Sequence, residues 1–183
     1  MEPHHGPIRW GIWATGRIAD AFAEAFPLVG PDADARIVAV GSRRADTAAA
    51  FAAAHGIDRA HGSRRALADD PDVDVVYVAS LHPDHVNATT TFLEAGKHVL
   101  CEKPLARTAR DAGRIARAAA KGKGIFMPAL CIRFWPEWEW LKKAVEKGSY
   151  GKVISAHFRR IGFMPPGWFV RGEWSGGAIL DLH

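Results

Sequence analysis

Four short stretches of this 183-residue chain hold residues whose types and spacing could do chemistry. The first is the turn Ala14, Thr15, Gly16, Arg17 and Ile18, which follows an apolar run and precedes a helical pattern. Backbone amides at a helix start, left without intrahelical acceptors, stabilise negative charge, so such a turn can cradle a pyrophosphate. Against the spacing G-x-G-x-x-G, Gly16 matches, with Ala14 and Ala19 in the outer slots. The alternative reading is a plain tight turn. The second stretch is Gly41-Ser42-Arg43-Arg44, at the end of the second apolar run. An acid there would hold ribose hydroxyls, whereas a hydroxyl beside guanidinium groups suits a 2'-phosphate. This predicts NADP in preference to NAD. Alternatively both arginines are solvated helix-start residues and Asp46 reaches the ribose.

The third stretch is Ser80-Leu81-His82-Pro83-Asp84-His85, just past a near-continuous apolar run. Ser80, His82 and His85 fall where ligands of open α/β sheets bind. The two histidines read as helix-capping or cofactor-contacting groups; a zinc pair would need further ligands that the neighbouring sequence does not offer. The fourth is Cys101-Glu102-Lys103-Pro104. Lys103 could donate a hydrogen bond to a substrate oxygen, or it could be a surface lysine before a proline turn.

These stretches need elements to position them. Arg9 to Ala14 reads as a strand, Ile18 to Phe26 as a helix, Arg36 to Val40 as a strand and Ala45 to His55 as a helix. Val73 to Ser80 has the apolar character of a strand covered on both faces. A helix from Pro83 to Gly96, a strand from His98 to Glu102, a helix from Thr108 to Lys121 and a strand from Ile125 to Arg133 follow. This alternation predicts right-handed βαβ units and a doubly wound parallel sheet over residues 1–125. Residues 126–183 supply a helix from Pro136 to Gly148 and a strand over Gly151 to Ile161, the incomplete start of a second α/β domain.

Composition narrows the function classes. With 48% hydrophobic and 24% charged residues the chain can build a core. No apolar run is long enough for a membrane helix and the start lacks a signal-peptide layout, so a cytoplasmic setting is expected. Cys101 and Cys131, both in predicted strands, read as buried thiols, and no metal site is implied. The excess of 24 Lys and Arg over 20 Asp and Glu suits anionic ligands but is too diffuse for nucleic-acid binding. Its densest part, Arg107, Arg110, Arg114, Arg117 and Lys121, reads as one solvated helix face.

Four ordered motifs together resemble the Gfo/Idh/MocA family of glucose-fructose oxidoreductase and inositol dehydrogenase. They are Arg9-Trp-Gly-Ile-Trp-Ala-Thr-Gly-Arg-Ile-Ala19, Val75-Val-Tyr-Val-Ala79, Glu94-Ala-Gly-Lys-His-Val-Leu-Cys-Glu-Lys-Pro104 and Ser175-Gly-Gly-Ala-Ile-Leu-Asp-Leu-His183. The resemblance implies a Rossmann domain for NAD(P), with an open-sheet α/β domain that completes a site for a carbinol on a sugar, cyclitol or related diol. It implies that Lys103 contacts substrate and cofactor with Glu102 beside it, and that Asp181 is the acid of the family's Gly-rich helix. The family histidine would fall four positions after Asp181, past His183, and His183 occupies a slot where many members have glycine. Pro-Asn of the family is replaced by Leu81-His82. Family members run much longer, so the chain reads as a fragment or early-terminated member. The expected partners are a sugar or polyol and NADP or NAD, with no nucleic acid or membrane, and a full-length form could be a homo-oligomer. The competing expectation is a dinucleotide-binding module without catalysis. An uncovered apolar surface is also expected along Lys152 to Ile161 and at Trp168 or Trp174.

Overall fold

The apolar run at the chain start forms β1 (Ile8–Trp13), which becomes fully buried towards its carboxyl end. The structure, a computed structural model, describes residues 6–29, 34–159, 166–177 and 180. After β1 come α1 (Arg17–Ala25), β2 (Ala35–Gly41), α2 (Ala45–His55), β3 (Arg59–His61), α3 (Arg64–Ala68) and β4 (Val75–Val78). Then follow α4 (His82–Glu94), β5 (His98–Glu102), α5 (Ala109–Lys121), β6 (Phe126–Ala129), α6 (Pro136–Glu146) and α7 (Gly172–Ser175). Local chemistry explains several starts. Pro83 sits in the first turn of α4, where its missing N–H costs nothing. The Thr108 hydroxyl accepts the Asp111 N–H at 3.1 Å and caps α5.

The six strands form one parallel sheet in the order β3-β2-β1-β4-β5-β6. Strand alternation sends neighbouring residues to opposite faces. Trp13, Val38, Val76, Val78 and Val99 pack with Leu67 of α3 and Phe92 and Leu93 of α4. Ile12, Val40 and Tyr77 pack on the other face with Ala19 and Ala23 of α1 and Phe51 and Ala52 of α2. Chain order reverses between β1 and β4, so the loops after these strands part and leave a crevice at their carboxyl ends.

Several expectations need correction. The strand expected over Gly151 to Ile161 is absent from its described part, residues 151–159, which form no regular element. Alternation supplied the side-chain pattern, but a strand also needs a neighbour for its backbone groups, and no sheet pairing reaches these described residues. Ile154 there is 94% exposed, in line with the uncovered apolar surface. Of Trp168 or Trp174, the pair in which an uncovered side chain is expected, Trp174 is exposed and Trp168 is half-buried against His82. The strand expected to run to Arg133 ends at Ala129, and Cys131 begins an exposed 3₁₀ turn, so it is not a buried thiol. Pro128 is tolerated because β6 is the sheet edge. Cys101 is buried as expected, and that burial pushes its thiol up to about 12. Sequence patterning also did not mark β3, three residues without an apolar signature. The basic face of α5 is solvent-exposed throughout, and no described helix is long and apolar enough to cross a membrane.

A buried acid ties the short β3 to the rest. Asp70 Oδ2 accepts hydrogen bonds from Arg59 Nε at 3.0 Å and pairs with His61 Nε2 at 2.9 Å, while Oδ1 accepts the Asp72 N–H at 2.9 Å. Burial alone would raise its carboxyl, but the Asp72 amide, His61 and Arg59 outweigh it and hold it below the ordinary value. Between the lower folded value and the unfolded one, about 3.9, the unfolded chain binds the extra proton, so stability falls with acidification there. Denaturation midpoints measured from roughly pH 5 down to pH 2 should therefore fall more steeply in the wild type than in Asp70→Asn. Parallel curves would remove Asp70 from the acid response.

Candidate functional site

The crevice is built from the ends of three strands. Ala14, directly after β1, has φ +87° in a region that disfavours a Cβ, and its N–H donates to the Gly41 carbonyl at 2.8 Å. This sharp exit from the strand delivers Gly16 to the N-cap of α1 with extended backbone and no side-chain cap. The first-turn amides of α1, from Arg17 and Ile18 onwards, have no intrahelical acceptor and lie at the positive end of the helix dipole. A Cβ built on Gly16 would meet nothing within 4 Å, so this mouth is open space.

At the end of β2, the Ser42 N–H donates to the His61 carbonyl at 3.0 Å, and its hydroxyl lies 2.8 Å from that of Thr47. The two arginines expected to act together are separated. Arg43 lines the crevice, whereas Arg44 turns to Asp46, with Nε 3.0 Å from Oδ1 and a second contact to Oδ2. The side-chain hydrogen bond from Arg44 holds the Asp46 carboxyl below its ordinary range. That carboxylate also accepts the Thr47 N–H at 2.8 Å.

The third wall is the β4 to α4 turn, where Ser80, Leu81, Pro83 and Asp84 face Trp13 and residues 14–16 across a cavity of about 500 Å³. Glu173 and Trp174 of α7 complete the lining. The Ser80 hydroxyl oxygen is buried without a hydrogen-bond partner among the described residues. His82 and His85 are not in the lining. His85 is fully buried, with Nδ1 2.8 Å from the Pro104 carbonyl oxygen and Nε2 2.8 Å from that of Ser80. It clamps two strand-end loops together. His82 Nδ1 lies 2.9 Å from the Ser175 carbonyl oxygen, and its ring meets Trp168 edge-on at 4.6 Å. That pairing holds α7 against the start of α4.

Lys103 lies one strand further along the same sheet edge, outside the cavity lining. Its position is set by Glu102, whose Oε2 accepts the Lys103 N–H at 3.1 Å and whose Oε1 accepts the Tyr77 hydroxyl at 2.7 Å. Burial first, and the Glu102 charge second, push the Tyr77 phenol upward, so it remains a donor. The Lys103–Pro104 peptide bond is cis. Of the expected residues, the cavity thus gathers Ala14, Thr15, Gly16, Ser42, Arg43 and Ser80. Arg17 and Ile18 stand at its helical rim, Arg44 is paired outside it, and Asp181 lies outside the described residues. Sequence reading missed Trp13, Asp84, Glu173 and Trp174. The first two carried a usable signal, since each sits at a strand end or helix start on the ligand-binding edge.

A profile of the Gfo/Idh/MocA oxidoreductases, described as an oxidoreductase family with an NAD-binding Rossmann fold, matches residues 8–130. The chain belongs to this family. It is 39% identical over 176 residues to a trans-1,2-dihydrobenzene-1,2-diol dehydrogenase of Xenopus laevis, covering 95% of this chain and 53% of that protein. The Bos taurus enzyme of that name is 38% identical over 180 residues, covering 96% and 52%. The chain therefore spans about half the length of the curated relatives it matches. Among solved structures, a levoglucosan dehydrogenase complexed with NADH and L-sorbose superposes with TM-score 0.84 at 26% identity, over 97% of this chain and 51% of that one. An NAD-binding oxidoreductase from Klebsiella pneumoniae gives TM-score 0.73 at 30% identity, over 78% and 39%.

The crevice of this family member fits a nicotinamide dinucleotide on its own chemistry. The uncapped amides of α1, the open space over Gly16 and the Ser80 hydroxyl, buried without a partner among the described residues, all point to a polar, anionic guest.

Proposed function

We propose that this chain forms the dinucleotide-binding half of an NADP(H)-linked oxidoreductase acting on a carbinol of a sugar, cyclitol or related diol. The observation that carries the reading is Ser42 and Arg43 in the wall of the same cavity that receives the uncapped start of α1. Arg43 supplies charge where a 2'-phosphate needs it, and the acid nearest in sequence, Asp46, is committed to Arg44. The amides of Thr15 to Ile18 hold the pyrophosphate, with Ala14 setting their direction. His82, His85 and Glu102 brace the loops that carry Ser80 and Lys103.

When bound, the dinucleotide supplies the hydride chemistry. Lys103 donates a hydrogen bond to the reacting substrate oxygen, and Asp181 positions the substrate. We take residues 1–125 as the nucleotide-binding domain and residues 126–183 as the start of the substrate domain, with the sheet's sixth strand, Phe126–Ala129, at their junction. Two free cysteines suit a reducing compartment, and we assign the protein to the cytoplasm.

Fluorescence titration with NADPH and NADH tests the binding half, with NADPH expected to bind about tenfold tighter, or about 1.4 kcal/mol. Binding of neither nucleotide would overturn the reading. Turnover on a panel of sugars and diols tests the chemical half. Lys103→Met should lower it by about 10² to 10⁴ while NADPH still binds, the usual scale of a lost proton donor. NADPH binding without turnover on any of the panel would favour a non-catalytic module instead.

A further inference from the structure

The cavity wall carries acids beside the cation that a phosphorylated guest needs. Arg43 is the single cation among the described lining residues, which also include two acids, Asp84 and Glu173. A second cation stands immediately behind the wall. Arg64, the first residue of α3, forms an ion pair with Asp84 Oδ1, and its guanidinium carbon lies 5.3 Å from the centre of the Trp13 ring. The other Asp84 oxygen, Oδ2, accepts the Trp13 indole N–H at 2.7 Å. Trp13 is 2% exposed and itself lines the cavity, so the three side chains form one braced unit in the pocket wall. Arg64 and Asp84 are about three-quarters buried, at 26% and 27% exposure, which limits screening by solvent.

We propose that Arg64 is a specificity-determining residue: by neutralising Asp84 it allows the cavity wall to accept the extra phosphate of NADP(H). This rests on the NADP(H) reading above and extends it to a residue that sequence reasoning did not single out. Remove the guanidinium, and Asp84 becomes an uncompensated carboxylate in the wall of a pocket for a polyanion. Like-charge juxtaposition then weighs most on the more highly charged guest. Trp13 fixes the geometry, because its indole N–H and ring face hold the two members of the pair in register.

Dissociation constants for NADPH and NADH in the wild type, Arg64→Met, Arg64→Lys and the double variant Arg64→Met with Asp84→Asn test this. Arg64→Met should weaken NADPH by about tenfold and NADH by about threefold or less, so that the preference ratio collapses. Arg64→Lys, which keeps the charge, should retain most of the ratio and serves if the methionine variant fails to fold. The double variant should recover most of the lost NADPH affinity, because the side-chain amide introduced by Asp84→Asn still accepts the indole N–H but carries no charge. Equal weakening of both nucleotides, or no recovery in the double variant, would show a merely structural role and overturn the assignment alone. A wild-type protein that binds neither nucleotide would overturn the functional reading together with it.

Discussion

Gly16→Asp is expected to abolish dinucleotide binding while leaving the fold intact or slightly more stable. The two effects have opposite signs because they depend on different properties of one position. Gly16 is the N-cap of α1, with extended backbone and no side chain to accept the first-turn amides. Aspartate is among the best residues there, and exchanging an N-cap glycine for it contributes about 0.3 kcal/mol to helix stability. Nor does the added side chain collide with protein, since a Cβ at Gly16 meets nothing within 4 Å. On the proposed function the same open space receives the pyrophosphate, and the same amides are its donors. The new carboxylate would occupy those donors and oppose the anion by charge, so affinity should fall by more than about 100-fold. Calorimetric titration of NADPH beside a thermal melt reads both halves at once. Retained binding with an unchanged melt would mean that the anion site is elsewhere.

The sequence exposed the sheet and the turn at Gly16 because their signals are local. Apolar runs, the Gly16 turn and Pro83 each report a backbone preference that tertiary structure had no reason to override. The failures are all matters of partnership. The stretch after Gly151 alternates like a strand but has no edge to join among the described residues. Arg43 and Arg44 are chemically identical neighbours, and only the nearby Asp46 decides that one faces the cavity while the other does not. The Trp13, Asp84 and Arg64 unit joins residues far apart in the chain, so no spacing rule could assemble it. His85 looks like a ligand-binding residue by position, yet both of its ring nitrogens face backbone carbonyls of adjoining loops. Its role is to hold those loops in place.

Gly124→Ala should be the converse of the Gly16 substitution, costing the fold far more than the site. A Cβ at Gly124 would stand 2.0 Å from the carbonyl oxygen of Lys97 and 2.7 Å from its carbonyl carbon. Both are backbone atoms, so no side chain can swing away to make room. Nor can the Lys97 backbone retreat easily. Its N–H donates to the Phe92 carbonyl at 3.0 Å, its ammonium donates to the Asp70 and Val73 carbonyls at 2.6 and 2.7 Å, and the next N–H, of His98, donates to the Asp74 carbonyl at 2.9 Å. The strain must therefore be relieved by moving β6. That breaks the Val99 N–H to Ile125 carbonyl bond of 2.9 Å, where the β5 and β6 pairing begins, and uncovers the core behind Phe126. Overpacking of this kind with loss of an edge strand should cost about 3 kcal/mol or more. For a chain of this size that corresponds to a fall in melting temperature of roughly 6 to 12 °C. A melt within about 2 °C of wild type would show that the β5 and β6 edge is loosely held. The position of Lys103, which continues directly from β5, would then need another support than the sheet.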